Sequence, residues 1–216
     1  MNRWTALISR AATEAVPIAE TDCAASDGTG PDCRFAAWQA ALARMAGRAP
    51  IEQIAWVHHR VNQLRYVSDR ANWGEADRWE TPLELFQRGG DCEDFALTKY
   101  FALRRLGFED AALRLAVVWD KVDQEEHAIL LVSAGDSLWL LDNKAADIEP
   151  AAAYADRYRL IYSLNADGVM LPTRAERGSD DPARMRLSRN GRALVLHVDR
   201  SPRKVRRDPV GPVRPS

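Results

Sequence analysis

No stretch of this 216-residue chain comes near the roughly 20 consecutive apolar residues that a transmembrane helix needs, so stable membrane insertion is not expected. An excess of one charge is also missing. Lys plus Arg number 30 and Asp plus Glu number 31. That balance leaves no global field to draw the chain to nucleic acid or to an anionic membrane. Internal repeats are absent. The segment before Asp22 carries Arg3, Arg10, Glu14 and Glu20 without a continuous apolar run, and it does not read as a signal peptide, which leaves a cytoplasmic location, another export route or a different native start open. Cysteine is scarce. Cys23 and Cys33 share a loop rich in Gly, Ser, Asp and Pro, while Cys92 stands alone. This spacing suits one disulfide plus a free thiol, and equally three unrelated thiols.

What remains is the composition of a soluble globular domain, 46% hydrophobic and 28% charged. Patterning divides it into a loop-like N-terminal extension (1–33), a core (34–165), a hairpin region turning on Asn190-Gly191 (166–198), and a basic, proline-rich tail (199–216) expected to be disordered. Within the core, a helix is expected from Phe35 to Met45. A second starts at Pro50, with Ile51, Ile54, Val57, Val61 and Leu64 as one buried stripe. His58 and His59 follow one another on that helix. Neighbours point about 100° apart, which favours solvated or hydrogen-bonded roles over shared metal ligation. Thr81-Pro82-Leu83-Glu84 is a capping box opening a short helix that stops at Gly89-Gly90. The next helix starts at Asp91-Cys92 and runs to about Leu106. The period then changes to two, predicting strands over Leu113–Trp119, His127–Val132, Ser137–Leu141 and Tyr158–Leu164.

Asp91 as N-cap would put Cys92 at the first helical position, beside free backbone N–H groups and the positive end of the helix dipole. A thiol there is activated as a nucleophile. Taken alone, Cys92 fits a small buried residue at a helix start better than a nucleophile. The hairpin sharpens the choice. A two-residue turn on Ala134-Gly135 sets His127 directly opposite Asp142, close enough for an imidazole–carboxylate bond. Alternatively, Asp136 caps the turn and Asp142 begins a loop. Asp91, Glu93 and Asp94 crowd the thiol with negative charge, which opposes thiolate formation. Clustered carboxylates suit calcium, although the spacing is not that of an EF-hand. Trp79 stands just before the capping box, as a wall of a substrate cleft or as a core residue.

Asp77-Arg78-Trp79-Glu80-Thr81-Pro82-Leu83-Glu84, Gly89-Gly90-Asp91-Cys92-Glu93-Asp94-Phe95-Ala96, Lys99-Tyr100, Glu126-His127-Ala128 and Leu141-Asp142-Asn143 resemble the bacterial transglutaminase-like cysteine peptidases, the LapG group. The resemblance spans roughly residues 20–165. It implies an α+β, papain-like or transglutaminase-like core, with the nucleophile helix packed on an antiparallel sheet. It also implies a Cys92–His127–Asp142 triad, with Asp91, Glu93 and Asp94 as candidates for a calcium requirement. Cys23 and Cys33 resemble the paired upstream cysteines of many members, which implies a disulfide. The implied activity is periplasmic proteolysis of a protein substrate, such as a large surface adhesin in biofilm dispersal, with a regulatory partner protein. Three rivals remain: acyl transfer to amines by the same triad, a non-catalytic binding module of the same fold, and Cys92, His127 and Asp142 as metal ligands.

Overall fold

The computed structural model describes residues 3–14 and 30–172. Cys23, the expected hairpin on Asn190-Gly191 and the basic tail lie outside these residues. The described part is α+β, with helices laid on a six-stranded sheet whose neighbouring strands all pair antiparallel.

The first element corrects the loop reading of the amino terminus. α1 (Arg3–Thr13) is a helix with Leu7 fully buried. Trp4 meets the rings of Trp79 and Tyr100 edge-on at 6.4 and 5.2 Å. An isolated helix of this length is marginal in water. Burying one leucine contributes about 2 kcal/mol, so tertiary packing rather than propensity holds α1.

α2 (Pro31–Ala43) begins four residues before the expected Phe35, with Pro31 in its first turn and Phe35, Trp38 and Leu42 buried. α3 (Pro50–Asn62) buries Ile54, Val57 and Val61 as the stripe requires, but Ile51 at its start is 40% exposed. The one-turn helix α4 (Asp69–Trp73) precedes α5 (Pro82–Arg88), whose capping box forms: Thr81 Oγ1 accepts the Glu84 N–H, and Glu84 accepts the Thr81 N–H. α6 (Cys92–Arg105) buries residues on nearly every side, as a central helix must.

The strands are β1 (Leu113–Asp120), β2 (Glu125–Ala134), β3 (Ser137–Leu141), β4 (Glu149–Pro150), β5 (Tyr158–Asn165) and β6 (Gly168–Met170), in the order β4-β3-β2-β1-β5-β6. The four expected strands are present. β4 and β6, of two and three residues, are too short to show a period. Leu113, Leu115, Ala128, Leu130 and Val132 join the main core with α2, α3, α5 and α6. Ala116, Val118, Ile129, Leu131 and Leu140 form a second cluster with Tyr158.

The β2–β3 register differs from the expected one. Ala134 pairs with Ser137 and Leu130 with Leu141, so the two-residue turn is Gly135-Asp136. Gly135 takes φ 61°, which suits glycine at the first turn position of a type II′ hairpin. Each pair shifts by two residues. Because the side-chain period is also two, His127 and Asp142 keep a common face, as diagonal rather than direct neighbours.

Candidate active site and acidic cluster

Cys92 opens α6 as expected, after Asp91 in extended conformation. The Asp91 N–H donates to Asp94 Oδ2 at 3.0 Å, closing the first turn from below. The two preceding glycines are explained by the protein's own packing. At Gly89 (φ 82°) a Cβ would stand 2.5 Å from the Arg65 carbonyl oxygen, and at Gly90 it would stand 2.5 Å from Asp94 Oδ2. Gly90 is further pinned by bonds from its N–H to the Arg65 carbonyl (3.2 Å) and from the Val67 N–H to its own carbonyl (2.8 Å).

The free Cys92 thiol donates to Glu93 Oε2 at 3.2 Å, and the backbone of Ala128, the residue next to His127, lies beside the sulfur. Burial pushes the thiol far up, and the Glu93 carboxylate pushes it further; the Ala128 N–H works the other way.

His127 is buried, and its Nε2 lies 2.7 Å from Asp142 Oδ1. Asp142 is 1% exposed, and the Lys144 N–H (2.9 Å) and the Tyr158 hydroxyl also donate to it. Burial opposes ionisation of Asp142. The bond and charge of His127, with these two further donors, outweigh it and hold the carboxyl at about 2. Tyr158 also lays its ring 5.9 Å from the imidazole.

α3 secures the loop after β3. Asn62 Nδ2 donates to the carbonyls of Asp142 and Ala145, each at 2.9 Å, and His58 Nε2 lies 3.2 Å from the Ala145 carbonyl. His58 is therefore buried and hydrogen-bonded, while His59 lies exposed, 3.4 Å from Asp147. Burial, aided by the charge of Lys99, lowers His58 to about 4. Lys99, two turns along α6 from Cys92, is fully buried, and its Nζ has no hydrogen-bond partner. Burial brings it down to about 7 against the pull of Asp142.

The acidic collar is larger than expected. Ligand-type oxygens of Asp69, Asp77 and Glu93 lie within 4.8 Å of one another, and so do those of Asp69, Asp91 and Asp94. Oxygens bound to one calcium at 2.3–2.6 Å are up to about 5 Å apart, so the spacing fits such an ion. Asp69 Oδ1 and Asp91 Oδ1 are buried with no hydrogen-bond partner, which leaves carboxylate oxygens for a hard cation. Burial and mutual repulsion push Asp69 to about 6 and Asp91 to about 7. Asp94 is raised to about 9, chiefly by burial. Its oxygens already accept the Glu80 N–H (2.7 Å) and the Asp91 N–H (3.0 Å). Among the described residues, no metal-type cluster unites Cys92, His127 and Asp142; the last two bond directly.

Sequence reasoning thus named Cys92, His127, Asp142, Asp91, Glu93 and Asp94, and missed Asp69, Asp77, Asn62, Lys99, Tyr158 and Tyr66. Tyr66 bridges to Gly90 and is 58% exposed beside the thiol. Asp69 and Asp77 carried a signal in their acidic spacing ahead of the capping box, but nothing local tied them to Cys92. Trp79 is half-buried against the main core and Trp4, and its carbonyl accepts a bond from Arg10.

Comparison with known proteins agrees with this geometry. The calcium-bound structure of Legionella pneumophila LapG is 28% identical, covering 70% of this chain and 84% of that one, with a TM-score of 0.62. The EGTA-treated structure of the same protein is 29% identical over 66% of this chain and 78% of that one, with a TM-score of 0.60. A search of functionally curated proteins finds no match. The family described as bacterial transglutaminase-like cysteine proteinases matches residues 17–168, so the chain belongs to that family and is a cysteine peptidase.

Proposed function

We propose that the protein is a calcium-dependent endopeptidase acting through Cys92, His127 and Asp142. The observation that carries this reading is the buried 2.7 Å contact of His127 Nε2 with Asp142, on the strand whose Ala128 backbone lies beside the Cys92 sulfur. His127 takes the thiol proton, the sulfur attacks the peptide carbonyl, and His127 then protonates the leaving amine. Asp142 holds the ring and stabilises its charged form. The Cys92 N–H, among the unpaired donors at the helix start, faces the developing oxyanion.

Asp69, Asp77, Asp91 and Glu93 would hold the calcium ion, with Asp94 as a further candidate. When bound, the ion supplies positive charge that offsets the carboxylates now raising the thiol. The calcium-bound and EGTA-treated forms of the Legionella LapG structure support this part of the proposal. The substrate is a surface or periplasmic protein of the adhesin type, which places the enzyme in the periplasm, in biofilm dispersal, under a regulatory partner protein. No helix among the described residues is long and apolar enough to cross a membrane. Cys23 and Cys33 form a disulfide in that setting, and Trp79 walls the substrate cleft. The peptidase core runs from 34 to 165, with α1 joined to it through Trp4 and Leu7, with β6 adding a short edge strand to its sheet, and with the rest of the C-terminal hairpin region (166–198) and the basic tail (199–216) beyond it.

Alkylation by iodoacetamide tests the mechanism. Labelling confined to Cys92 is expected to accelerate at least about tenfold with calcium, equivalent to one unit of thiol pKa, and to slow again in His127→Ala. Labelling at the rate of an ordinary thiol in both conditions would refute it. An amine-incorporation assay run beside peptide cleavage separates hydrolysis from acyl transfer to amines.

A further inference from the structure

A cavity of about 700 Å³ lies away from the thiol, between α2, the end of α3 and α5. Its lining includes Arg34, Arg44, Arg60, Arg65 and Arg88 and no carboxylate. The chain as a whole has a net charge of −1, so this concentration is local. Ion pairs among the described residues engage Arg3, Arg10, Arg78, Lys144 and Arg157 with carboxylates, but none of these five. Arg60 donates to Gln63, Arg65 donates to the Arg88 carbonyl, and Arg88 lies over the Trp73 ring. Each keeps further N–H donors. Trp38 and Phe86, 5.1 Å apart, form an apolar floor. Five like charges around one groove repel each other until a ligand supplies the counter-charge, and guanidinium groups match carboxylates in pairs of parallel bonds.

The groove also has a defined relation to the nucleophile. Gly89 is part of its lining and stands three residues before Cys92, so that edge lies within about 10 Å of the Cys92 backbone. We propose that this groove is an exosite that docks an acidic segment of the protein substrate, within roughly half a dozen residues of the bond to be cut. This rests on the endopeptidase reading above. The carboxylates bind the arginine rim, aliphatic stems of the same residues cover the aromatic floor, and the chain continues past Gly89 to the thiol.

The test uses the full chain carrying Cys92→Ala, which binds without cutting. Fluorescein-labelled peptides of a hexaglutamate core and of its hexaglutamine counterpart, each flanked by Gly-Ser, are titrated by anisotropy at low and physiological salt. The glutamate peptide is expected to bind at least about tenfold tighter, with affinity falling as salt rises. Arg44→Glu with Arg60→Glu, both at exposed positions, should weaken it about tenfold or more, while Arg159→Glu on the sheet leaves it unchanged. Equal binding of the two peptides, or equal effects of the two sets of reversals, would overturn the exosite. So would displacement by inorganic phosphate at the peptide's own concentration, which would assign the groove to small anions. In a second arm, a peptide library is digested by the unaltered chain and the cut sites are read by mass spectrometry. Enrichment of Asp and Glu near the cut, lost in the double reversal, is the expected result; cutting without that enrichment counts against the exosite. A chain that cuts nothing would count against the endopeptidase, while the binding arm still decides the groove.

Discussion

At the scale of single residues, Lys99 shows how the site's electrostatics extend beyond the three groups proposed to do chemistry. It is fully buried on the nucleophile helix, lacks a hydrogen-bond partner, and interacts with Asp142 on one side and His58 on another. Its ammonium form loses hydration that nothing restores, so its pKa falls from 10.5 to about 7. A lowered lysine pKa means that the folded chain binds fewer protons than the unfolded chain between these values. Lys99 therefore imposes no penalty above about pH 10.5; the penalty grows as pH falls from there and is complete below about 7. Lys99→Met should raise the melting temperature relative to the unaltered chain, with a larger gain at pH 6.5 than at pH 9.5. A gain that is the same at both pH values would mean that Lys99 is not charged by its burial in this way. Nothing in the local sequence marks Lys99 as buried, since a lysine on a helix is ordinarily solvated. Cys92 differed because capping chemistry, which is local, located it at a helix start.

At the scale of elements, the turn from α5 into α6 holds the thiol in place. The segment from Arg65 to Val67 bonds Gly90 on both sides, and Asp94 reaches back to the Asp91 N–H. Gly90→Ala would drive a Cβ to 2.5 Å from Asp94 Oδ2 and 2.9 Å from a Leu85 methyl. Moving Asp94 releases the Asp91 and Glu80 N–H groups together. We expect a loss of about 2–4 kcal/mol in urea unfolding, from overpacking plus one lost cap, with cleavage falling more steeply than stability. A variant of unchanged stability would show that the turn can give way. The same segment illustrates what was legible in sequence. Both capping motifs, the α6 boundaries and the strands from Leu113 onward were readable because caps and strict periodicity are local. The β2–β3 turn was readable too, in the Gly-Asp pair, but Ala-Gly was chosen instead. The error left the face of His127 intact only because it was an even number of residues. α1 was not legible: one buried leucine and one tryptophan make no helical stripe, and the ring partners of the tryptophan, Trp79 and Tyr100, are far along the chain.

For the whole molecule, stability and calcium should be linked through the acidic cluster. Asp69, Asp91 and Asp94 have pKa values raised from 3.8 to about 6, 7 and 9, by burial first and by the charge of neighbouring carboxylates besides. A raised carboxyl contributes stability below its unfolded pKa, and that contribution is lost as pH rises through the folded value. In EGTA the melting temperature should therefore fall between about pH 4 and pH 9. On the calcium site proposed above, calcium should flatten or reverse the slope, because a ligand of the ionised cluster in the folded state alone stabilises that state. An identical pH profile with and without calcium would argue against the cluster as the binding site. The linkage shows where sequence reading ends. By itself the sequence determined the helix that presents Cys92, the strand parity that puts His127 and Asp142 on one face, and the acidic character of the thiol's surroundings. Each follows from interactions between residues a few positions apart. Only the tertiary structure decided that Asp69 and Asp77 join Asp91 and Glu93, that Asn62 and His58 secure the loop beyond Asp142, and that Lys99 lies buried beneath the site. It also decided that five arginines from three helices and two connecting turns share one groove. Those groups meet across long chain separations, and their proximity is set by how helices pack on a sheet, which no local pattern encodes.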